Sequence, residues 1–390
     1  MNKYILNTVV QEYIKNTIDN VSKLAFSGSP FQNITVKELI QQIESRRKAE
    51  KKLPSWFQTD KIFYPPKLNL EQTSSEVTAH YKASIINGKS IADLTGGFGV
   101  DSFEFSKVLS SVNYYEQNKS LSEIATYNFS ILKAKNINCI CGDGIEGIKN
   151  SSYDFIYIDP SRRHESKGKV FFLNDCEPNV SKNLDYFLER CNTLIVKTSP
   201  MLDISIGLEE LKFVSEIHVV AINNEVKELL WLVSKKNNQT IVVKTINIKK
   251  EIAETYNFNL GDKAITKYSA PEAFLYEPNT AILKSGAFHL LSASFNVNKL
   301  HQHSHLFTNN KLIEFPGRRF KIEQVAPYSK KEMRKALTFS KANVSIRNFP
   351  DSVESIRKRW KIKPGGDYYL FFTTSEANKK IMLVCKKVNE

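Results

Sequence analysis

The chain has 390 residues, 41% of them hydrophobic and 25% charged, with a net charge of +14. That composition belongs to globular material, enough for about two to four domains. No apolar run nears the ~20 residues that span a bilayer. The segment "MNKYILNTVVQEYIKNTIDN" lacks the layout of a signal peptide, and five irregularly placed cysteines (Cys139, Cys141, Cys176, Cys191, Cys385) give no disulfide framework, so a reduced cytoplasmic protein without a membrane role is expected. The charge is uneven. Residues 311–390 hold 19 Lys and Arg against 8 Asp and Glu, residues 1–90 hold 13 against 8, and the middle holds 23 against 25. A polyanion would be drawn to such ends, with an affinity that falls as salt rises.

Residues 1–80 read as a helical region from their 3.6-residue apolar spacing, as in Ile5, Val9 and Tyr13. In "ITVKELIQQIESRRKAEKKL", Thr35 and Glu38 have capping-box spacing, and Arg46, Arg47, Lys48, Lys51 and Lys52 close the helix where positive charge suits its dipole. "FYPPKLNLEQTSSE" is expected to be extended because of Pro65 and Pro66, and "SSEVTAHYKASII" returns to helix with Ser74 or Ser75 as cap. From residue 90 short apolar runs alternate with amphipathic stretches such as 120–135 and 178–190. "SIADLTGG", "SSVNYYEQN", "NINCICGD", "DFIYIDPS", "NTLIVKTSP", "EIHVVAINN" and "KELLWLVSK" are the strands. The alternation predicts an α/β, Rossmann-like doubly wound sheet. Two small α+β domains are expected after it, at 241–315 and 316–390. The second holds strands "KIEQVAP", "ANVSIRNF", "DYYLFFTT" and "KIMLVCKK" with helices "SKKEMRKALTF" and "SVESIRKRW".

In such sheets ligands bind beyond the carboxyl ends of the strands, and the polar clusters of this chain fall there: Asp93 to Asp101, Glu116, Asp143, and Asp159 to Arg163. The glycines of "IADLTGGFG" suit a tight strand-to-helix turn that a ligand approaches closely. A carboxylate at Glu116 can receive two ribose hydroxyls, and Asp143 can accept from an adenine amino group. The dinucleotide fingerprint fits less well, since Ser102 stands at its third glycine and Asp93 precedes the turn where apolar residues are usual.

Together "IADLTGGFGVDS", "YYEQN", "CGDG" and "YIDPSRR" resemble motifs I to IV of class I S-adenosylmethionine-dependent methyltransferases. The whole chain resembles the bacterial members with ferredoxin-like and C-terminal THUMP-like domains: "LNLEQTSSEVTAHYKA" precedes motif I, "YEPNTAILKSGAF" and "FPGRRF" look like the ferredoxin-like module, and "SIRNFPDSVESIRKRWKIKPGGDYYLF" looks like the THUMP-like one. The resemblance implies a Rossmann-like methyltransferase domain over 81–240, a ferredoxin-like domain over 241–315 and a THUMP-like basic domain over 316–390. It implies S-adenosyl-L-methionine as cofactor, with Asp93, Thr95, Gly97, Phe98 and Gly99 on its methionine side, Glu116 at the ribose, Asp143 at the adenine, and Thr73 and Ser74 closing the pocket. The reaction face falls on Asp159, Pro160, Ser161 and Arg162. RNA, either tRNA or rRNA, is the implied partner, met by Arg163, Arg318, Arg319, Arg357, Lys358 and Arg359.

The chain departs from the amine-methylating pattern, in which Asn/Asp-Pro-Pro is followed by an aromatic residue; here Ser161 and Arg162 follow Pro160. Asp159 and the Pro160 carbonyl can still accept from an amine, while Arg162 and Arg163 can bind phosphate or stack on a base, or simply pair with Asp159, Glu165 or Asp175. Methylation at pyrimidine carbon 5 is disfavoured, because Ser199 stands where a nucleophilic cysteine is wanted and a buried Cys176 would be inert. His301-x-His303-x-His305 would align imidazoles on a strand but lacks a carboxylate, Cys139-x-Cys141 lacks a second pair, and no metal is expected. Trp231 reads as core. The expected function is methyl transfer to RNA. Its rivals are a methyltransferase for a protein or small molecule, and a catalytically silent RNA-binding factor.

Overall fold

A computed structural model describes residues 1–17, 21–162, 172–236, 240–250 and 252–388; Arg163 lies outside these, as does the side chain of Arg162. The chain divides into two compact units, Met1–Ser215 with Leu230–Asn238, and Glu216–Leu229 with Gln239–Glu390.

The first unit opens with helices α1 (Thr8–Asn16), α2 (Val21–Ser27), α3 (Val36–Lys52), α4 (Pro54–Gln58), α5 (Lys67–Gln72) and α6 (Glu76–Ser84). The capping box forms as expected: Thr35 N donates to Glu38 Oε2 at 2.8 Å, and Glu38 N to Thr35 Oγ1 at 3.2 Å. The basic end of α3 is consumed locally. Arg46 lies 4.0 Å over the Phe57 ring, Arg47 reaches Thr17 O, Lys48 pairs with Glu71, and Lys52 donates to the carbonyls of Leu70 and Glu71. The expected extended connector is broken by α5. Pro66 sits at its N-cap with φ −49°, an angle that starts a helix as readily as it ends one, and Leu70 anchors it in the core.

Strands and helices then alternate: β1 (Ser90–Asp93), α7 (Val100–Ser106), β2 (Ser111–Glu116), α8 (Lys119–Ile131), β3 (Ile137–Cys141), α9 (Gly144–Gly147), β4 (Tyr153–Ile158), β5 (Ser161–Arg162), β6 (Cys176–Glu177), α10 (Leu184–Leu188), β7 (Cys191–Thr198), α11 (Ile204–Glu210), β8 (Val214–Ile222) and β9 (Glu225–Val233). Within this unit the strand order is β9-β7-β4-β1-β2-β3, with β7, β4, β1, β2 and β3 parallel. The central strands are buried on both faces, as helices on both sides require. The helix expected over 178–190 shrinks to α10, because Asn179 Oδ1 takes the N–H of Lys182 and holds the preceding residues in a turn. Trp231 is core, its Nε1 donating to Thr198 Oγ1 at 2.9 Å.

In the second unit β10 (Val242–Lys249) and β11 (Ile252–Asn259) form a hairpin, and β10 runs parallel to β8, giving the order β11-β10-β8-β9. There follow β12 (Phe274–Pro278), α12 (Thr280–Ser285), α13 (Leu291–Phe295), β13 (Asn298–Lys299), β14 (Phe307–Asn309), β15 (Gly317–Pro327), α14 (Lys330–Ala336), β16 (Asn343–Arg347), α15 (Val353–Trp360), β17 (Tyr368–Thr374) and β18 (Lys380–Lys387). They build one seven-stranded sheet, β13-β14-β12-β15-β18-β17-β16, with Leu275, Phe320, Phe371 and Leu383 in one core. The three histidines do not share a strand face. They lie in a turn, where His301 is held by Asn348 and Asn378 and His305 stacks on Phe288 at 3.7 Å, and among the described residues no metal-binding cluster forms.

Candidate functional site

The strand order places β4, β1, β2 and β3 side by side, so Asp159, Asp93, Glu116 and Asp143 stand at or just beyond the carboxyl ends of four adjacent parallel strands. The register sets their depth: Asp93 is opposite Tyr114 and Tyr157, so Glu116 and Asp159 each lie two residues further out. Neighbouring strands are ~4.8 Å apart, so the four acids span one sheet edge.

Asp93 is the deepest, only 1% exposed. Its Oδ2 accepts from Ser102 Oγ at 2.6 Å and its Oδ1 from Thr95 N at 3.1 Å. Burial pushes its carboxyl up to about 7; the Ser102 hydrogen bond opposes this and the charge of Asp101 adds to it. Thr95 also ties the turn to β4, accepting from Asp159 N at 2.7 Å. Gly97, at φ 57°, donates its N–H to Glu116 Oε2 at 2.9 Å, and Asn118 N donates to the other oxygen at 2.7 Å. Gly99, at φ 88°, begins α7 against Phe129. Asp143 is exposed, caps α9 through Ile145 N at 2.7 Å and accepts from Gln117 Nε2 at 3.1 Å. Two expected residues contribute differently. Phe98 is buried in the core with its ring 4.7 Å from Trp56, and Thr73 caps α5 through its backbone.

Beneath this edge lies a polar network that the motifs did not announce. Lys82 is fully buried and sits 3.1 Å from Asp101 Oδ1. Ser74 Oγ receives from Lys82 at 3.0 Å and donates to Asp101 Oδ2 at 2.7 Å, and Tyr157 Oη donates to the same oxygen at 3.0 Å. Burial alone would raise the Asp101 carboxyl, but the Lys82 and Lys197 ammoniums and the Ser74 hydroxyl bring it below its ordinary value. Oδ1 of Asp101 has its ion pair but no well-directed hydrogen-bond donor. Ser74, expected at the pocket, is thus the link between α6 and α7. The signal for Lys82 was its place on α6: it falls three and four residues after Ala79 and Thr78, on the buried face, where a lysine requires a carboxylate.

Just beyond β4, Asp159 Oδ2 forms an ion pair with Lys197 from β7. Ser161 and Arg162 pair as β5 with Glu177 and Cys176 of β6, and Cys176 is fully buried. In the second unit Arg318 is held by Glu277 and Arg319 by Glu314, Arg357 donates to the carbonyls of Ile362 and Ala342, Arg359 bonds Asp351 and Tyr328, and Lys358 is exposed on α15.

The donor set fits an adenosyl sulfonium. Acids line the edge, each oxygen of Glu116 has one backbone donor and keeps lone pairs for hydroxyls, and the turn needs glycine at positive φ. Family models match residues 274–316 as a ferredoxin-like domain and residues 317–387 as THUMP domain-like. Among solved structures, a candidate methyltransferase from Porphyromonas gingivalis W83 is 31% identical, covers 99% of this chain and of its own length, and superposes with a TM-score of 0.90. An rRNA methylase from Streptococcus thermophilus (16% identity, 40% of this chain and 95% of that one, TM-score 0.30) and a candidate RNA methyltransferase from Pyrococcus horikoshii (19%, 48% and 98%, TM-score 0.35) overlap only partly with this chain. No curated protein matches the sequence.

Proposed function

The chain belongs to the class I S-adenosylmethionine-dependent methyltransferase family whose C-terminal part holds ferredoxin-like and THUMP-like modules, and from that premise we propose that it methylates RNA, a base of tRNA or rRNA, in the cytoplasm. The observation that carries the proposal is the row of acids at the ends of β4, β1, β2 and β3, organised by a glycine turn whose N–H holds Glu116. Asp93, Thr95, Gly97 and Gly99 would border the methionine end of the cofactor, Glu116 its ribose and Asp143 its adenine. S-adenosylmethionine would supply an electrophilic methyl group, passed in line to the acceptor atom as the thioether S-adenosylhomocysteine leaves.

The protein's part is alignment and charge. Negative groups at the edge favour a ligand that carries a sulfonium and an ammonium. Asp159 is fixed from two sides, by Thr95 through its backbone and by Lys197 through its carboxylate. In this reading its carboxylate accepts from an N–H of the substrate and orients the acceptor atom. The basic C-terminal part, 19 cations against 8 acids over residues 311–390, supports a polyanionic substrate.

Calorimetry with S-adenosylhomocysteine tests the cofactor half: saturable binding is expected, and no heat at near-millimolar ligand rejects it. For the substrate half, affinity for total tRNA is expected to weaken steeply between low and moderate salt, and a salt-insensitive affinity counts against it.

A further inference from the structure

The second unit contains a cleft of about 730 Å³ whose lining includes Lys249, Lys250, Glu254, Arg318, Arg319 and Lys387. We propose that this cleft binds a phosphodiester strand, and so is the place where the RNA of the function proposed above docks. Three stretches distant in sequence bring five cations to one hollow: the β10–β11 turn, the start of β15 and the end of β18. Among the described residues one carboxylate, Glu254, lines it; Glu251 and Glu390 lie outside those residues. Counting also the partners of the two arginines, buried Glu277 and exposed Glu314, and the arginine that shares Glu277, Arg347, the described residues give six cations against three carboxylates. Among the described residues, cations outnumber carboxylates there even after the ion pairs are made.

The wall is built rather than incidental. Gly317 runs so close to β12 that a Cβ there would come within 2.1 Å of Glu277 O, which fixes where Arg318 and Arg319 begin. Arg318 is then held by the buried Glu277, whose other oxygen takes Arg347 at 2.6 Å, and Arg319 is held by Glu314 at 2.6 Å. Lys249 lies 2.5 Å from Glu254, which also accepts from Asn247 and Asn279. Asn224 spends its carbonyl oxygen on Thr280 N. Set against these fixed groups, Lys250 and Lys387 are exposed and pair with no carboxylate among the described residues. Two cations fit for a mobile anion thus flank a preformed guanidinium pair that can present forked donors to phosphate oxygens.

The choice of a nucleotide chain over a bare anion comes from the apolar part. Ile252 is 73% exposed at the rim, and Val388 lines the same hollow. An exposed aliphatic surface beside cations suits a ligand with phosphate and a sugar or base face together.

The test measures binding of full-length protein to labelled total tRNA across salt, with Lys250→Glu/Lys387→Glu compared to Lys330→Glu/Lys331→Glu, an equal charge change at exposed positions on α14 outside the cleft. The cleft pair is expected to lose about tenfold or more in affinity and to lower the log–log salt slope by about two, with a much smaller change for the α14 pair. Unchanged binding of S-adenosylhomocysteine in both variants shows that the fold survives. Equal losses in the two pairs, or none in the cleft pair, overturn the cleft while leaving RNA as substrate. Failure of the unaltered protein to bind tRNA overturns both proposals. Competition by polyglutamate as effective as by tRNA at matched charge overturns the nucleic-acid assignment.

Discussion

Asp93 and Lys82 show at the scale of one residue how this site keeps charge out of water. Asp93 has its carboxyl raised to about 7, chiefly by burial. Between about pH 4 and pH 7 the folded chain therefore keeps a proton that the unfolded chain has released, and stability falls as pH rises through that window. Asp93→Asn should remove this contribution. Its urea-unfolding free energy relative to the unaltered protein should improve from pH 5 to pH 8, by at most about 3 kcal/mol; parallel profiles would show that Asp93 titrates normally. Lys82 makes the complementary case. Lys82→Met leaves the buried Asp101 without its nearest cation and should cost about 3–5 kcal/mol, much of it restored in Lys82→Met/Asp101→Asn, as urea unfolding of the single and double variants would show. The two residues differed in legibility for a physical reason. Asp93 announces itself by standing at a strand end before glycines, whereas the partner of Lys82 is 19 positions away and is brought near only by the packing of α6 on α7. Lys197 was hidden likewise, inside a run that reads only as strand.

At the scale of elements, the turn between β1 and α7 separates two reasons for glycine. At Gly97 the φ of 57° is left-handed, but a Cβ would find nothing nearer than 3.7 Å, so Gly97→Ala should cost only about 1–2 kcal/mol. At Gly99 the φ of 88° is joined by a clash of 2.4 Å with the Phe129 ring, itself packed in the core, so Gly99→Ala should cost roughly 2–4 kcal/mol. Thermal unfolding of the two variants checks the order, and a reversal would mean that the turn adapts where the packing says it cannot. Periodicity found the strands β1 to β4 and β7 to β9, because each is a short apolar run bounded by turn residues, buried in the central strands and half-exposed in the edge strand β3. It failed where backbone chemistry overrides composition. Two prolines marked a break but could not reveal that α5 starts after the second. The alternate histidines mimicked a strand although His305, at φ 50°, stands in a left-handed turn.

At the scale of the molecule, the ferredoxin-like and THUMP-like modules share one sheet. Every residue of β12, Phe274 to Pro278, pairs with β15, and Leu275 packs with Phe320, Phe371 and Leu383. Removing residues 317–390 would leave β12 with an open edge and half its core, so a truncated chain should aggregate rather than cleanly lose RNA affinity. Point variants in the intact chain separate the two activities instead. If Asp159 orients the acceptor and the basic cleft only binds, Asp159→Asn should lower kcat with tRNA affinity retained. Lys250→Glu/Lys387→Glu should instead raise KM for RNA about tenfold and leave kcat within a fewfold at saturation, since a contact made equally in ground and transition state affects KM alone. Methyl-transfer assays with tritiated S-adenosylmethionine and modification-free RNA read both constants. A cleft variant that lost kcat as well would mean that docking also sets the acceptor in line. An Asp159 variant with unaltered kcat would move the chemistry away from the ends of β4 and β7, and with it the assignment of this sheet edge.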